Sequence, residues 1–189
     1  GLGLGNIRPA AYRKDLMLQG LDISEIVAGI PGDTRYVGVS VMFSTLWPVS
    51  VELMDEVRRV RPDVTIIAGG EHVTAVTEYC LRNSPIDYAV RGEGEATLKD
   101  LLSALEEGRD PNEVPSVGYL DVNGQFILTS GVVRERNVDT IARPDWDSIP
   151  LGDYITHGQM NGVNRGRSMP ILATRGCPYQ CTFCSSPSM

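Results

Sequence analysis

The chain has 189 residues, 42% of them hydrophobic and 22% charged, with a net charge of -7, which suits one globular domain of ordinary size plus an appendage. The acidic balance and the lack of any basic run argue against a nucleic-acid surface. No apolar run approaches the roughly 20 residues of a membrane span, and Gly1-Leu2-Gly3-Leu4-Gly5 has neither the basic start nor the long apolar core of a secretory signal.

In chain order, Ile7 to Leu18 reads as a helix with Pro9 in its first turn. Asp22 to Ala28 reads as a second short helix, capped by Asp22 or Ser24 and stopped by Gly29 and Pro31. No strand is read before Tyr36. The glycines at 1, 3 and 5 read as a chain end and not as a phosphate loop, because no strand precedes them.

From Tyr36 the pattern is regular. Tyr36 to Val41 is a β-branched run with few charges, as a strand buried on both faces should be. Val51 to Val60 repeats apolar residues at three- and four-residue steps and is helical, ended by Pro62. Val64 to Ala68 is a second strand closed by Gly69-Gly70, Thr74 to Leu81 a second helix, and Ile86 to Val90 a third strand. Glu95 to Leu105 is a third helix, with Leu98, Leu101, Leu102 and Leu105 on its inner face. This alternation predicts an α/β fold, a Rossmann-like wound parallel sheet with right-handed crossovers. Val117 to Asp121 and Gln125 to Leu128 flank Val122-Asn123-Gly124, a small β-hairpin signal. Gly131 to Ser168 is a polar linker with Pro144, Pro150 and many glycines, and Pro170 to Thr174 is a last apolar strand. The expected division is 1–130 for the wound domain, 131–168 for the linker and 169–189 for the start of a further domain.

In a parallel sheet, ligands bind beyond the carboxyl ends of the strands. Those ends are Ser40 to Thr45, Gly69-Gly70-Glu71-His72 and Arg91-Gly92-Glu93-Gly94-Glu95. The first offers the hydroxyls of Ser40, Ser44 and Thr45, and the glycines of the others let backbone approach a ligand closely. Glu95 opens a helix, where a carboxylate offsets the dipole. Arg91 has Glu93 and Glu71 as candidate ion-pair partners, and Arg175 lies beside the cysteines, where it either steadies their loop or is solvated.

Three of the four cysteines, Cys177, Cys181 and Cys184, are spaced C-x3-C-x2-C, while Cys80 stands apart in a helical pattern as a buried apolar residue. Clustered thiols without a secretory signal read as reduced and metal-binding in the cytoplasm. Two metals remain open from the residues. A zinc loop needs four ligands, the fourth being His72 or His157, neither of which has zinc-finger spacing. A four-iron cluster held by three cysteines keeps one iron free for a ligand.

The run Thr174-Arg175-Gly176-Cys177-Pro178-Tyr179-Gln180-Cys181-Thr182-Phe183-Cys184 resembles the cluster loop of the radical SAM superfamily. The resemblance implies that Cys177, Cys181 and Cys184 hold a 4Fe-4S cluster, that the free iron chelates S-adenosyl-L-methionine, and that Phe183 lies against its adenine. Val37 to Met42, Ile67 to Thr74 and Asp87 to Glu95 look like successive signatures of the cobalamin-binding domain preceding the barrel in one radical SAM class. Pro144-Asp145-Trp146-Asp147 and Tyr154 look like its connecting segment. That class implies a corrin on the carboxyl edge, its tail passing near Ser40, Gly69 and Gly70. Met42, Ser44, Thr45, Glu71, His72, Arg91, Gly92, Glu93 and Gly94 would border the pocket. Asp15-Leu16-Met17-Leu18-Gln19-Gly20 mimics the Asp-x-His-x-x-Gly signature of cobalt-ligating domains, with Met17 in place of histidine. It is read as coincidence, since it lies only twenty-five residues before Ser40. His72 is read as a strand-end residue hydrogen-bonding backbone, not as a cobalt ligand.

The implied function is a cobalamin-dependent radical SAM enzyme. Its cluster, fed by a reducing electron donor, cleaves S-adenosylmethionine to a 5'-deoxyadenosyl radical, and methylcobalamin donates a methyl group to an unactivated carbon of a small-molecule substrate. The alternatives are a cyclase or rearrangement enzyme of the same class, and a small-ligand-binding α/β module with a structural zinc loop. Only Ser185 to Met189 follow the last cysteine, so the barrel is expected to lie outside these residues, which alone are expected not to turn over.

Overall fold

A computed structural model describes residues 10–13, 16–18, 20–131, 134–135 and 137–156, and in the terminal loop 175, 177, 179 and 181–184. The chain divides into two units, Ile23–Ile141 with Gly176–Met189, and Gly1–Asp22 with Ala142–Arg175.

In the second of these, β1 (Ala10–Arg13) and β2 (Leu16–Leu18) pair antiparallel, with Ala10 opposite Leu18. The helix expected over Ile7 to Leu18 is therefore not formed in its described part. Arg13-Lys14-Asp15 is a polar interruption between two short apolar runs, which is a hairpin pattern, and an isolated helix of that length is marginal. The same unit carries a 3-10 turn at Trp146–Ser148 and a short helix at Leu151–Thr156. His157 and the strand expected at Pro170 to Thr174 lie outside the described residues.

The first unit opens with α1 (Ile23–Ala28), directly after Asp22, so Ser24 is inside the helix and not its cap. The Gly29 N–H donates to Glu25 O at 3.1 Å and closes it. Then come β3 (Tyr36–Ser40), α2 (Trp47–Val60), β4 (Thr65–Gly69), α3 (Glu71–Ala75), α4 (Thr77–Arg82), β5 (Tyr88–Val90), α5 (Gly94–Glu107), β6 (Val117–Leu120) and β7 (Phe126–Leu128). The five strands form one sheet in the order β3-β4-β5-β6-β7, the first three parallel and the last two antiparallel. The hairpin thus extends the sheet. Its turn is held by Asp121, whose carboxylate accepts the N–H of Asn123 at 2.9 Å and of Gln125 at 2.7 Å, with Gly124 at φ 74°.

Alternate strand residues face opposite layers. Val37, Val39, Ile66, Ala68 and Ala89 pack with Val27, Trp47, Met54, Val57, Cys80 and Leu81 of α1, α2 and α4. Tyr36, Ile67, Tyr88, Val90 and Val117 pack with Leu101 and Ala104 of α5. The buried face of α5 is Thr97, Leu101 and Ala104, whereas Leu98, expected inside, is 37% exposed. Two other helices depart from expectation. The second helix is broken at Val76, and α2 begins a turn before Val51, with Pro48 in its first turn, where a missing N–H costs nothing.

At the amino edge, the Arg58 guanidinium donates to the carbonyls of Pro62, Val64 and Pro85 and to Asp87 at 2.5 Å, while Asp87 also accepts the Ile66 N–H at 2.7 Å. These bonds tie the entry of β4 to that of β5. The cavity of about 540 Å³ beside them lies at this edge, lined by Arg58, Asp87, Tyr88 and Tyr119, with the Arg58 donors already committed.

Candidate cofactor site at the carboxyl edge of the sheet

The opposite edge is where the chain leaves β3, β4 and β5. Ser40 pairs with Gly69, and Val41 continues the ladder by donating its N–H to Gly69 O at 2.8 Å. The chain then turns sharply at Gly70, whose φ is 95°. A Cβ there would meet Val41 O at 2.7 Å, Val41 C at 2.9 Å and Val41 N at 3.0 Å, so only glycine fits. The first bond beyond the turn runs back to the same residue: the His72 N–H donates to Val41 O at 3.1 Å. At Gly69 a Cβ would come within 3.3 Å of Val90 O. Gly69 and Gly70 therefore let β3, α3 and β5 close on one another.

The side chains above this junction fall into a backed group and an open group. His72 is backed. Its Nδ1 lies 2.9 Å from Ser44 Oγ, and its ring centroid is 5.0 Å from that of the buried Trp47. Burial lowers its pKa below the usual histidine value. Its Nε2 is buried without a hydrogen bond among the described residues. The sequence reading expected His72 to bond backbone; its side chain instead meets the Ser44 hydroxyl, and only its main-chain N–H bonds backbone. The open group is the loop after β3, where Met42 is 50%, Phe43 60% and Leu46 45% exposed, with Ser40, Ser44 and Thr45 also exposed. Phe43 and Leu46 were missed as candidate site residues. The signal was available: large apolar side chains in a loop just past a strand are not there for the core.

The third strand end is organised by a buried hydroxyl. Thr74, 2% exposed, accepts the Gly92 N–H at 3.0 Å, and Gly92 has φ 70°. The Arg91 N–H donates to Ser116 O at 2.9 Å. Neither Glu93 nor Glu71 forms an ion pair with Arg91, whose Nε is buried without a hydrogen bond among the described residues. The Glu93 carboxylate accepts the Glu135 N–H at 3.1 Å. Gly94 starts α5, a Cβ there meeting Val90 Cγ1 at an ordinary 3.7 Å, and Glu71 sits in the first turn of α3.

In the terminal loop Cys177, Cys181 and Cys184 are exposed, the Cys184 N–H donating to Cys181 O at 3.1 Å, and Phe183 is 91% exposed. Among the described residues no three His, Cys, Asp or Glu side chains converge as a metal site. The donor set, three accessible thiols within eight residues, nevertheless suits a soft metal centre. Cys80 does not share that chemistry: it is buried and its thiol is pushed up to about 11 by desolvation. Leu16–Leu18, the centre of the Asp-x-His-x-x-Gly mimic, is strand β2 of the small hairpin in the other unit.

A corrin at this edge would meet the exposed apolar ledge of Met42, Phe43 and Leu46, above a glycine junction closed by the backbone of Val41 and Val90. The comparisons with known proteins point the same way. The B12 binding domain family matches residues 22–102. A methyltransferase of Pyrococcus horikoshii, itself uncharacterised, is 32% identical over 166 residues, covering 87% of this chain and 34% of that protein. The anaerobic magnesium-protoporphyrin IX monomethyl ester cyclase of Rubrivivax gelatinosus is 34% identical over 132 residues, 68% of this chain and 23% of the enzyme. The cobalamin-dependent radical SAM methyltransferase TokK of Streptomyces tokunonensis is 28% identical, over 65% of this chain and 18% of the enzyme. The chain thus spans about a third or less of the length of these relatives. In fold it is similar to the radical S-adenosylmethionine methyltransferase TsrM of Kitasatospora setae, with a TM-score of 0.56 at 19% identity, over 87% of this chain and 32% of that one. Residues 22–102 match the B12 binding domain family, and the chain is similar to portions of cobalamin-dependent radical SAM proteins.

Proposed function

We propose that this chain is the N-terminal part of a cobalamin-dependent radical SAM methyltransferase. In this reading the corrin rests on Met42, Phe43 and Leu46. Its nucleotide tail passes near Ser40, Gly69 and Gly70, and residues 91–94 form the far wall. His72, fixed by Ser44 and Trp47, shapes the floor. Cys177, Cys181 and Cys184 hold a 4Fe-4S cluster, and residues 169–189 are the first part of a radical SAM domain. When bound, the reduced cluster supplies the electron that cleaves S-adenosylmethionine to a 5'-deoxyadenosyl radical, and cobalamin supplies the methyl group for an unactivated carbon. This chain's share is to place the two cofactors and keep water from the corrin face.

The observation that carries the reading is the pairing, within one chain, of a cysteine triad with a match to the B12 binding domain family. A second reading, cyclisation without methyl transfer, is favoured by the identity to the magnesium-protoporphyrin ester cyclase. The substrate class and the electron donor belong to the same proposal.

The test is anaerobic reconstitution with iron and sulfide, followed by titration with hydroxocobalamin. We expect a broad absorption band of a 4Fe-4S cluster and one bound corrin per chain. Zinc at one equivalent, with neither iron nor corrin retained, sinks the reading in favour of a zinc-clipped ligand-binding module.

A further inference from the structure

After β7 the chain returns to the carboxyl edge. The Thr129 N–H donates to Val117 O at 2.9 Å, and the buried Thr129 hydroxyl accepts the Val117 N–H at 2.9 Å. Val117 is itself paired with Val90, the last residue of β5. Two residues on, Gly131 O accepts from Ser116 Oγ at 2.7 Å. Ser116 is 1% exposed and has φ 62°, the only positive φ outside glycine among the described residues. A serine held there is strained, and it persists only because its surroundings fix it. What fixes it is on the page: its carbonyl accepts the Arg91 N–H while its hydroxyl holds Gly131. Farther along, Glu93 Oε2 accepts the Glu135 N–H at 3.1 Å, and Glu135 Oε1 accepts the Asn137 N–H at 2.8 Å. Three successive points of the strap, at 129, 131 and 135, are thus tied to 117, 116 and 93.

We propose that Ser116 and Glu93 are positioning residues that clamp Gly131 and Glu135 to the loop 91–93, so that these points of the strap and the third cofactor loop move as one body. The clamp stands on the hydrogen bonds alone. A consequence rests on the cobalamin reading: a corrinoid that orders the loop also orders the strap that leads on towards the cysteines.

Amide hydrogen exchange on the full chain tests both parts. Without ligand, Glu93→Ala speeds exchange at Glu135 and Asn137 about five- to tenfold, the effect of losing about one hydrogen bond, while the amides of α5 are unchanged. Glu93→Gln keeps a carbonyl acceptor and restores the wild-type rate, which a general packing defect would not allow. Ser116→Gly keeps the backbone geometry, loses the hydroxyl and speeds exchange across the same segment. Equal rates in Glu93→Ala and wild type overturn the clamp. With hydroxocobalamin bound, protection extends to Glu135 in wild type and not in Glu93→Ala; protection of both, or of neither, overturns the coupling. Failure of hydroxocobalamin to bind refutes the cobalamin reading and the coupling with it, and the ligand-free difference still decides the clamp.

Discussion

Replacing Gly70 by alanine tests the junction on which the candidate site is built. Two costs add. The backbone at φ 95° is one that an L-residue occupies at about 1–2 kcal/mol. The new Cβ would lie 2.7 Å from Val41 O and 2.9 Å from Val41 C, and these atoms are backbone, so no side chain can swing away. Val41 must retreat, which strains or breaks the bonds Val41 N–H to Gly69 O and His72 N–H to Val41 O, at about 1 kcal/mol each. The sum is about 3–4 kcal/mol, in the upper tail for point substitutions. The assay is urea unfolding followed by circular dichroism and by the fluorescence of the buried Trp47. The internal control is Gly38→Ala, on the neighbouring strand, where a Cβ meets nothing within 4 Å and the expected change is within about 0.5 kcal/mol. A loss below about 1 kcal/mol at Gly70, or an equal loss at Gly38, would refute the reasoning.

Other predictions are independent of that junction. Arg58→Ala removes the donor to three carbonyls and Asp87 at the amino edge. Since the pair is only partly buried, at 29% and 40% side-chain exposure, we expect about 1.5–3 kcal/mol in denaturant unfolding, with no change in corrin affinity. His72 has its pKa lowered by burial, so below about pH 6.5 the unfolded chain binds the proton more readily than the folded one. Stability is therefore full above that pH and falls as the pH drops through the unfolded value. Urea midpoints at pH 7.5 and 5.5 should differ more in wild type than in His72→Gln, and equal differences would contradict the assignment. In the metal-free protein, a chromogenic disulfide at pH 7.5 should titrate three thiols quickly and the fourth, Cys80, only with denaturant. Four fast thiols would place Cys80 at the surface.

The sheet was legible because its strands obey simple rules. Val64 to Ala68 is a β-branched run without a charge, and Asn123-Gly124 with Asp121 two residues earlier specifies the turn chemically. The glycines of the site were legible as glycines that follow strands, but the partner that forbids a side chain at Gly70, Val41, is twenty-nine residues away and visible only in space. Elements failed where a local signal was outweighed. Trp47-Pro48 starts α2 early because Pro48 fits a first turn, whereas the apolar period begins at Val51. The hairpin β1–β2 was masked by apolar residues that also fit a loose helical spacing. Arg91 was given an acidic partner by proximity in sequence, yet Glu93 turns to the backbone of Glu135, a residue that composition alone places in a linker. The apolar ledge of Phe43 and Leu46 shows no period in the sequence, because both lie at the short 3-10 turn between β3 and α2.

The central claim is that the carboxyl edge between β3 and β5 holds a corrin. It is tested most directly by equilibrium titration of hydroxocobalamin against the wild-type chain and Ser40→Tyr. Ser40 is exposed at the end of β3, so the tyrosine stands in the path of the nucleotide tail without entering the core. The account predicts one corrin per wild-type chain and at least a tenfold weaker affinity in Ser40→Tyr, with unchanged unfolding midpoints. Equal affinities in the two proteins, or no corrin retained by either, would contradict it.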